Sequence, residues 1–223
     1  MVFAGICGGG KGLRFGGEVP KQFLPLKGKP VIMHSVEAFL RYGKCERIFV
    51  AVSDDWIEYC RDLFGQYDSV DVIRGGADRG ETVERIVDAA FAAGGSDSDI
   101  LATHDAARPF VAVEVIERCV GAAEECGVSG AAVPATDTVL QCRDGVVAAA
   151  PDRKEMFLAQ TPQCFRLGLF RKVWSGLSEE DKKVATDVCG MFYRAGERVR
   201  IVEGDERCFK ITAAEDLRRA EQM

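Results

Sequence analysis

The sequence predicts an α/β fold with a doubly wound, mostly parallel sheet, and three observations support this. Strand-like and helix-like segments alternate along most of the chain, a glycine-rich loop follows the first strand, and a hairpin-like segment interrupts the alternation at about residues 137–159. Alternating β and α segments form parallel sheets whose right-handed crossovers place helices on both faces. We therefore expect a single domain over residues 1–223 with a projecting β-arm at about 137–159.

The first half of the chain follows this alternation closely. Apolar runs predict strands at Val2–Cys7, Arg47–Ser53, Val70–Arg74, Asp99–Thr103 and Gly130–Pro134. Helical spacing predicts helices around Met33–Arg41, Asp54–Phe64, Glu81–Ala93 and Glu114–Cys126, the second capped by Asp54 or Asp55. After the arm we expect helices near Leu167–Trp174 and Thr186–Ala195, strands near Val199–Val202 and Cys208–Ile211, and a terminal helix from Ala213.

The interrupting segment is predicted to be a β-hairpin. Thr138–Cys142 and Val146–Ala150 are strand-like and flank an Arg143-Asp144-Gly145 turn. Such a hairpin either pairs with a second subunit or forms an edge of its own domain, and the sequence leaves both open.

Composition excludes several classes of protein. The net charge is −6, so no basic surface indicates a nucleic-acid partner. The chain has no run of about 18 apolar residues that would predict a membrane span, and its first residues enter a strand without a basic leader. We therefore expect a cytoplasmic protein. Nine cysteines, an odd number without a C-x-x-C pair, suit buried thiols in a reducing compartment. Only His34 and His104 could join a zinc site, so we expect none.

The glycine-rich loop predicts a polyphosphate site. Gly8, Gly9, Gly10, Lys11 and Gly12 follow the first strand, and the cations Arg14 and Lys21 come soon after. Glycines allow backbone N–H groups to approach a phosphate closely. The dinucleotide pattern G-x-G-x-x-G fails at Leu13 or Phe15, and a P-loop would need a hydroxyl where Gly12 stands.

Further candidate groups follow other predicted strands. Gly75-Gly76 comes after the third strand and His104-Asp105 after the fourth. Ligands of doubly wound folds bind at the carboxyl ends of the strands, so these groups and the glycine loop are expected to converge.

A set of short motifs, in order along nearly the whole chain, resembles one known family. The motifs are Gly8–Arg14, Pro20-Lys21-Gln22, Gly75-Gly76 with Arg79 and Thr82, His104–Pro109, Asp137-Thr138, Asp152-Arg153, Thr161-Pro162-Gln163, Thr186-Asp187 and Lys210-Ile211-Thr212. Together they resemble the 2-C-methyl-D-erythritol 4-phosphate cytidylyltransferases and the related ribitol 5-phosphate cytidylyltransferases. The resemblance implies a Rossmann-like nucleotidyltransferase that transfers CMP from CTP to a polyol phosphate, requires Mg²⁺ and dimerises through its β-arm.

The resemblance also implies a role for each matching residue. Gly8, Gly9, Gly10, Lys11 and Gly12 would bind the CTP phosphates, and Gly76, Arg79 and Thr82 the rest of the nucleotide. Arg14, Lys21 and Lys210 would be catalytic, and Asp105 would hold Mg²⁺ and contact substrate. Arg108, Thr138, Thr161, Thr186 and Asp187 would face the polyol phosphate, with Arg153 reaching the site of the partner subunit.

The chemistry of this reaction suits the residue inventory. The phosphate oxygen of the acceptor is already anionic at neutral pH, so cations that neutralise charge matter more than a general base. His104 is accordingly expected to pack or to support a neighbour.

The acceptor is less sharply defined than the nucleotide. Gly8-Gly9, where the methylerythritol enzymes usually carry two alanines, and the stretch from Lys182 to Cys189 resemble the ribitol enzymes, whereas Ala106-Ala107 favours the methylerythritol enzymes. We expect methylerythritol phosphate, with ribitol 5-phosphate as the alternative and a sugar-1-phosphate nucleotidyltransferase as a lesser one.

Overall fold

The structure, a computed structural model, describes residues 1–10, 19–184 and 187–223. Its strands are β1 (Val2–Cys7), β2 (Pro25–Leu26), β3 (Lys29–Pro30), β4 (Arg47–Val52), β5 (Val70–Arg74), β6 (Ile100–Asp105), β7 (Val128–Pro134), β8 (Gln141–Arg143), β9 (Val146–Ala149), β10 (Phe157–Arg166) and β11 (Arg200–Glu203). Its helices are α1 (Val31–Tyr42), α2 (Ile57–Phe64), α3 (Arg79–Ala92), α4 (Val113–Cys126), α5 (Leu167–Gly176), α6 (Glu179–Val184), α7 (Val188–Arg194) and α8 (Ala214–Gln222).

Seven strands form the central sheet in the order β11-β7-β10-β6-β1-β4-β5. Strand β1 is parallel to β4 and β6, β4 is parallel to β5, and β11 is parallel to β7, whereas β10 runs antiparallel to both β6 and β7. The prediction of a mostly parallel α/β sheet is therefore confirmed.

Apolar residues on the two faces of the sheet enter two separate cores. In β4, Ile48 and Val50 pack on one face with α1, while Phe49 packs on the other with α3 and α5. Because side chains alternate along a strand, this division shows that helices cover both faces, as in a doubly wound fold. At Gly5 in β1, a Cβ atom would lie 2.7 Å from the Ile86 side chain, so glycine permits the close approach of α3.

Two predicted features are wrong. Cys208–Ile211 is not a strand: Cys208 and Ile211 are buried in an irregular segment, in which Ile211 N donates to Ala107 O at 2.9 Å. The helix at 54–64 is not capped by Asp54 or Asp55, because a 3-10 turn, Asp54–Trp56, precedes α2. The Asp54 carboxylate instead accepts two hydrogen bonds from the guanidinium of Arg74.

Strand β10 is the main element that the sequence did not predict. It crosses the middle of the sheet, and its register with β7 shifts between Ala159 and Gln163, where Pro162 lacks an N–H for the ladder. The short strands β2 and β3 and helix α6 were not predicted either.

A hairpin of β8 and β9 lies within the segment for which the sequence predicted a β-arm, and its first strand begins at Gln141, not at Thr138. Asp144 and Gly145 have φ values of 50° and 78°, which a two-residue turn of type I′ requires. Every residue from 141 to 149 is exposed. Within the described residues, no helix is long and apolar enough to cross a membrane.

Candidate functional site

A cleft of about 740 Å³ opens beyond the carboxyl ends of β1 and β6. We call it the edge cleft. Nine predicted site residues line it: Gly8, Gly9, Gly10, Lys21, Gly76, Arg79, Thr82, Asp105 and Lys210. The predicted site residues Lys11, Gly12, Arg14 and Thr186 lie outside the described residues. The expected convergence of strand ends is therefore observed for the groups that can be compared.

Asp105, the last residue of β6, is surrounded by cations. Its Oδ1 pairs with the guanidinium of Arg79, and its Oδ2 lies 2.8 Å from Lys210 Nζ and 3.6 Å from Arg108 Nε. Burial acts to raise the pKa of this carboxyl, but the charges of Arg79, Lys210 and Arg108 act in the opposite direction and hold the pKa well below its usual range. Asp105 is therefore an anion within a cationic cluster at any physiological pH.

A chain of buried hydrogen bonds supports Asp105 from behind. The backbone N–H of Asp105 donates to Thr161 Oγ1 at 3.1 Å, and Thr161 Oγ1 lies 2.9 Å from His104 Nδ1. His104 Nε2 lies 3.0 Å from Arg108 O, which can only accept, so Nε2 carries the proton and Nδ1 accepts from the Thr161 hydroxyl. Each polar atom in this chain has a partner.

His104 is neutral at physiological pH. The residue is fully buried, and burial is the largest cause that lowers its pKa from 6.5 to about 4. Both ring nitrogens are engaged, so His104 supports the site as the sequence predicted and does not act as a base.

The glycine loop turns around a buried glutamine. Gly8 N donates to Ala51 O at 2.8 Å, which continues the β1 ladder by one residue. The amide nitrogen of Gln22 then donates to Gly8 O at 2.6 Å and to Gly10 O at 3.0 Å. Gln22 belongs to the Pro20-Lys21-Gln22 motif, yet no pattern in the sequence assigned it a role.

The second glycine segment leads into the first turn of α3. A Cβ atom on Gly76 would lie 2.5 Å from Glu81 Cβ, so only glycine fits there. Asp78 caps α3 by accepting from Glu81 N at 2.9 Å. Thr82 Oγ1 donates to Asp78 O at 2.6 Å and accepts from Gly76 N at 3.0 Å, so this hydroxyl fixes the loop while its residue lines the edge cleft.

Arg108 lies behind the edge cleft instead of lining it. Its guanidinium donates to Cys208 O at 2.8 Å and to Ala159 O at 3.3 Å, while its buried Nε has no hydrogen-bond partner within the described residues. Arg108 therefore joins the Asp105 loop to β10 and to the segment that carries Lys210.

The other residues predicted to face the polyol phosphate do not line the edge cleft. Thr138 and Arg153 are exposed beside the hairpin, where Arg153 Nη1 donates to Thr136 O at 3.0 Å. Thr161 is buried and belongs to the chain of hydrogen bonds behind Asp105. Asp187 caps α7 by accepting from Gly190 N at 2.6 Å, and it also accepts from the Gln163 amide.

The described residues contain no group of three or more His, Cys, Asp and Glu side chains able to hold a metal ion. Two carboxylates line the edge cleft, Asp78 and Asp105, and Asp78 is already engaged as the cap of α3. One carboxylate together with substrate phosphates and water is a usual set of ligands for Mg²⁺, so the residues present fit magnesium that binds together with a nucleotide.

Comparison with known proteins agrees with this geometry. Residues 2–223 match the sequence model of the 2-C-methyl-D-erythritol 4-phosphate cytidylyltransferase family. The solved structure of that cytidylyltransferase from Francisella tularensis is 27% identical with a TM-score of 0.82, covering 99% of this chain and 98% of that chain. The enzyme from Thermus thermophilus is 26% identical with a TM-score of 0.74, covering 100% of this chain and 98% of that chain.

A third similar structure supports the fold alone. The 4-diphosphocytidyl-2C-methyl-D-erythritol synthase from Anaerococcus prevotii is 22% identical with a TM-score of 0.82, covering 99% of this chain and 94% of that chain.

The match to the family model confirms the resemblance found in the sequence, and with it the prediction of a CTP-dependent nucleotidyltransferase. This chain belongs to the 2-C-methyl-D-erythritol 4-phosphate cytidylyltransferase family.

Proposed function

We propose that the chain transfers CMP from CTP to 2-C-methyl-D-erythritol 4-phosphate and releases pyrophosphate, a step in the synthesis of isoprenoid precursors. The observation that carries this proposal is the edge cleft, which is lined by a glycine loop and Lys21, and in which Arg79 and Lys210 pair with the Asp105 carboxylate. This combination of a loop suited to phosphates, three cations and a carboxylate that could hold a metal fits a nucleoside triphosphate better than an uncharged substrate.

The reaction joins two anions. A phosphate oxygen of the acceptor attacks the α-phosphorus of CTP, the bond from the α-phosphorus to the bridging oxygen breaks, and pyrophosphate leaves with the electron pair. The attacking oxygen carries no proton that must be removed, so positioning and neutralisation of charge supply the catalysis. Lys21 and Lys210 in the edge cleft, together with Arg14, are the cations assigned to the charge that develops on the α-phosphate.

Asp105 is the residue assigned to the metal. Mg²⁺, when bound there, would supply positive charge that offsets the negative charge of the nucleotide phosphates. Because Asp105 is paired with Arg79 and Lys210 before the nucleotide arrives, these two cations can pass from the carboxylate to the phosphates as CTP enters. With Mg²⁺ held by Asp105, the carboxylate would stay compensated and the phosphates would pair with the two cations, as a buried cluster requires.

The acceptor is assigned to Arg108, Thr138, Thr161, Thr186, Asp187 and, from a second subunit, Arg153. The hairpin supports a homodimer, because Leu140, Val146 and Val147 are exposed large apolar residues on a two-stranded ribbon that is too small to carry its own core. A second copy of the same hairpin would cover them in a symmetric contact. A single domain working in the cytoplasm suits this assignment.

Ribitol 5-phosphate is the alternative acceptor. The Gly8-Gly9 pair points to the ribitol enzymes in sequence, but a Cβ atom on Gly9 would have no atom of the described residues within 4 Å, so alanine would fit there as well. Gly9 thus provides no steric reason to prefer ribitol.

A pyrophosphate-release assay tests the proposal. It combines each of the four nucleoside triphosphates with methylerythritol phosphate, ribitol 5-phosphate and a set of sugar 1-phosphates, with Mg²⁺ present and absent. We expect turnover with CTP, methylerythritol phosphate and Mg²⁺. Comparable turnover with ATP would reject the nucleotide, and faster turnover with ribitol 5-phosphate or a sugar 1-phosphate would reject the acceptor.

A further inference from the structure

We infer that Gln22 is the positioning residue of the phosphate-binding loop, holding the loop in the shape that receives the nucleotide polyphosphate. The inference rests on the proposed function for the identity of that anion. It concerns a residue that makes no assigned contact with substrate and acts through the glycine backbone.

The shape of the loop is not explained by its glycines. Neither Gly9 nor Gly10 has a positive φ, and a Cβ atom on either would have no atom of the described residues within 4 Å. Alanine could therefore adopt the same backbone at both positions in the described structure. Some other group must hold the chain between Gly8 and Gly10 in this turn.

The Gln22 amide is that group. Gln22 is 4% exposed, and its Nε2 lies 2.6 Å from Gly8 O and 3.0 Å from Gly10 O. Both neighbours can only accept, which identifies the side-chain atom as the NH₂ group, and its two hydrogens satisfy the two carbonyls. One side chain thus ties together the carbonyl groups of the two residues on either side of Gly9.

These hydrogen bonds orient the peptide dipoles of the loop. In a trans peptide the C=O and the following N–H point in opposite directions. Because Gly8 O is directed at Gln22, the N–H of Gly9 is directed away from Gln22. The carbonyl oxygens, which are the negative ends of the peptide dipoles, thus face the NH₂ donor of Gln22. The N–H of Gly9, a positive end, is left for an anion in the cleft.

Gln22 is itself held firmly. It lies in the 3-10 turn Lys21–Phe23, and the ring of Phe23 stacks on Trp56 with centroids 4.0 Å apart. The preceding residue, Lys21, lines the edge cleft. One short turn therefore positions both the loop that binds phosphate and a cation assigned to catalysis.

The inference predicts a specific loss in Gln22→Met, which keeps the length of the side chain and removes the donor. We expect the dissociation constants of CTP and of pyrophosphate, measured by titration calorimetry, to rise about tenfold or more through loss of two hydrogen bonds. In Gln22→Glu a carboxylate would face two carbonyl oxygens, so the rise should be larger. In steady-state kinetics KM for CTP should rise, while KM for the acceptor should stay near that of the wild type.

Gln160 provides a matched control. It is 5% exposed, and its amide also bridges backbone groups, donating to Asp205 O at 2.9 Å and accepting from Asp205 N at 3.2 Å, but it does not line the edge cleft. Gln160→Met should change the midpoint of thermal unfolding without changing the affinity for pyrophosphate. Equal losses of affinity in both variants would overturn the inference, as would wild-type affinity in Gln22→Met.

A measurement on the unaltered protein covers the case in which Gln22→Met does not fold. The side-chain NH₂ of Gln22, labelled with ¹⁵N, should exchange its protons slowly with solvent and should shift when pyrophosphate binds. Rapid exchange would contradict the inference. Binding of pyrophosphate is measured without turnover, so a wild-type protein that binds it and yet makes no cytidylyl product would reject the proposed function and leave this result standing.

Discussion

Among the described residues, those assigned to the nucleotide lie together in the edge cleft, whereas those assigned to the acceptor are spread over four parts of the chain. Of the first group, Asp105, Arg79 and Lys210 contact one another directly. Of the second group, Thr138 and Arg153 are exposed near the hairpin, Thr161 is buried, and Asp187 caps a helix. We call the two sets the nucleotide half and the acceptor half of the site.

This difference follows from where each half is built. The nucleotide half stands at the ends of neighbouring parallel strands, where the sheet itself brings the residues together. The acceptor half depends on segments outside that edge, including an exposed hairpin whose sheet contains only β8 and β9. We infer that one chain completes the nucleotide half, and that a second copy completes the acceptor half.

The largest expected effect concerns a cation of the nucleotide half. Lys21→Ala should lower kcat about 100-fold or more, a loss of about 3 kcal/mol, as for removal of a group that stabilises developing charge. Lys29→Ala is the control, because Lys29 forms an exposed ion pair with Glu37 at 2.6 Å and should change little. A rise in KM for CTP with unchanged kcat would show that Lys21 binds the ground state only.

The next effect concerns His104, which belongs to the hydrogen-bond chain that supports Asp105. The pKa of His104 is about 4 in the folded protein against 6.5 ordinarily, so the unfolded chain takes up a proton at higher pH than the folded one. The free energy of unfolding should therefore fall by about 3 kcal/mol as pH drops from 6.5 to 4 in protein free of Mg²⁺ and CTP.

Denaturant titrations across this pH range test that expectation. In His104→Gln the part of the slope due to this histidine should vanish, while His34→Gln should keep it. The same slope in His104→Gln and in the wild type would assign the pH dependence to other groups.

A smaller effect concerns Asp105 and magnesium. Because Arg79 and Lys210 already neutralise Asp105, Mg²⁺ should bind the protein measurably only when CTP is present. Asp105→Asn should raise the Mg²⁺ concentration for half-maximal activity about tenfold or more by removing the carboxylate that is assigned to the metal. Asp205→Asn, which alters an ion pair with Arg207 outside the cleft, is the matched control. Unchanged metal dependence in Asp105→Asn would make Asp105 a structural residue.

The convergence of the nucleotide half at one edge of the sheet could be predicted from the sequence because its rules are local. Gly8, Gly76 and Asp105 each lie at or just beyond a strand end, and parallel strands bring their carboxyl ends to one edge. Lys210 was found through the resemblance, although its segment is irregular and not the predicted strand.

The rest depends on contacts between distant residues. Arg108 was expected to face the substrate, but its guanidinium binds the carbonyls of Cys208 and Ala159, which lie 100 and 51 residues away along the chain. Strand β10 was not predicted because Pro162 and a shift in register interrupt the strand pattern of its sequence. Gln22 could not be assigned because its importance comes from two carbonyls that no sequence pattern reveals.

Arg153 is assigned to the acceptor half of the site in the partner subunit, so its removal should affect the acceptor and not the nucleotide. Arg153→Ala should raise KM for the acceptor about tenfold, the cost of losing one charged hydrogen bond, while KM for CTP stays near that of the wild type. Light scattering should show a dimer in both proteins, since Arg153 is assigned to the acceptor and not to the apolar contact between hairpins.

Complementation between two variants tests the central claim, a nucleotide half within one chain and an acceptor half shared between two. Lys21→Ala is combined with a variant at Arg153 severe enough to be inactive alone, such as Arg153→Glu, and the subunits are exchanged by refolding together. If Arg153 serves the site of its partner, each mixed dimer regains one complete site, and the mixture should recover about a quarter of wild-type activity. A dimeric mixture that stays inactive would place Arg153 in the site of its own subunit, and a monomeric wild-type protein would reject the shared site altogether.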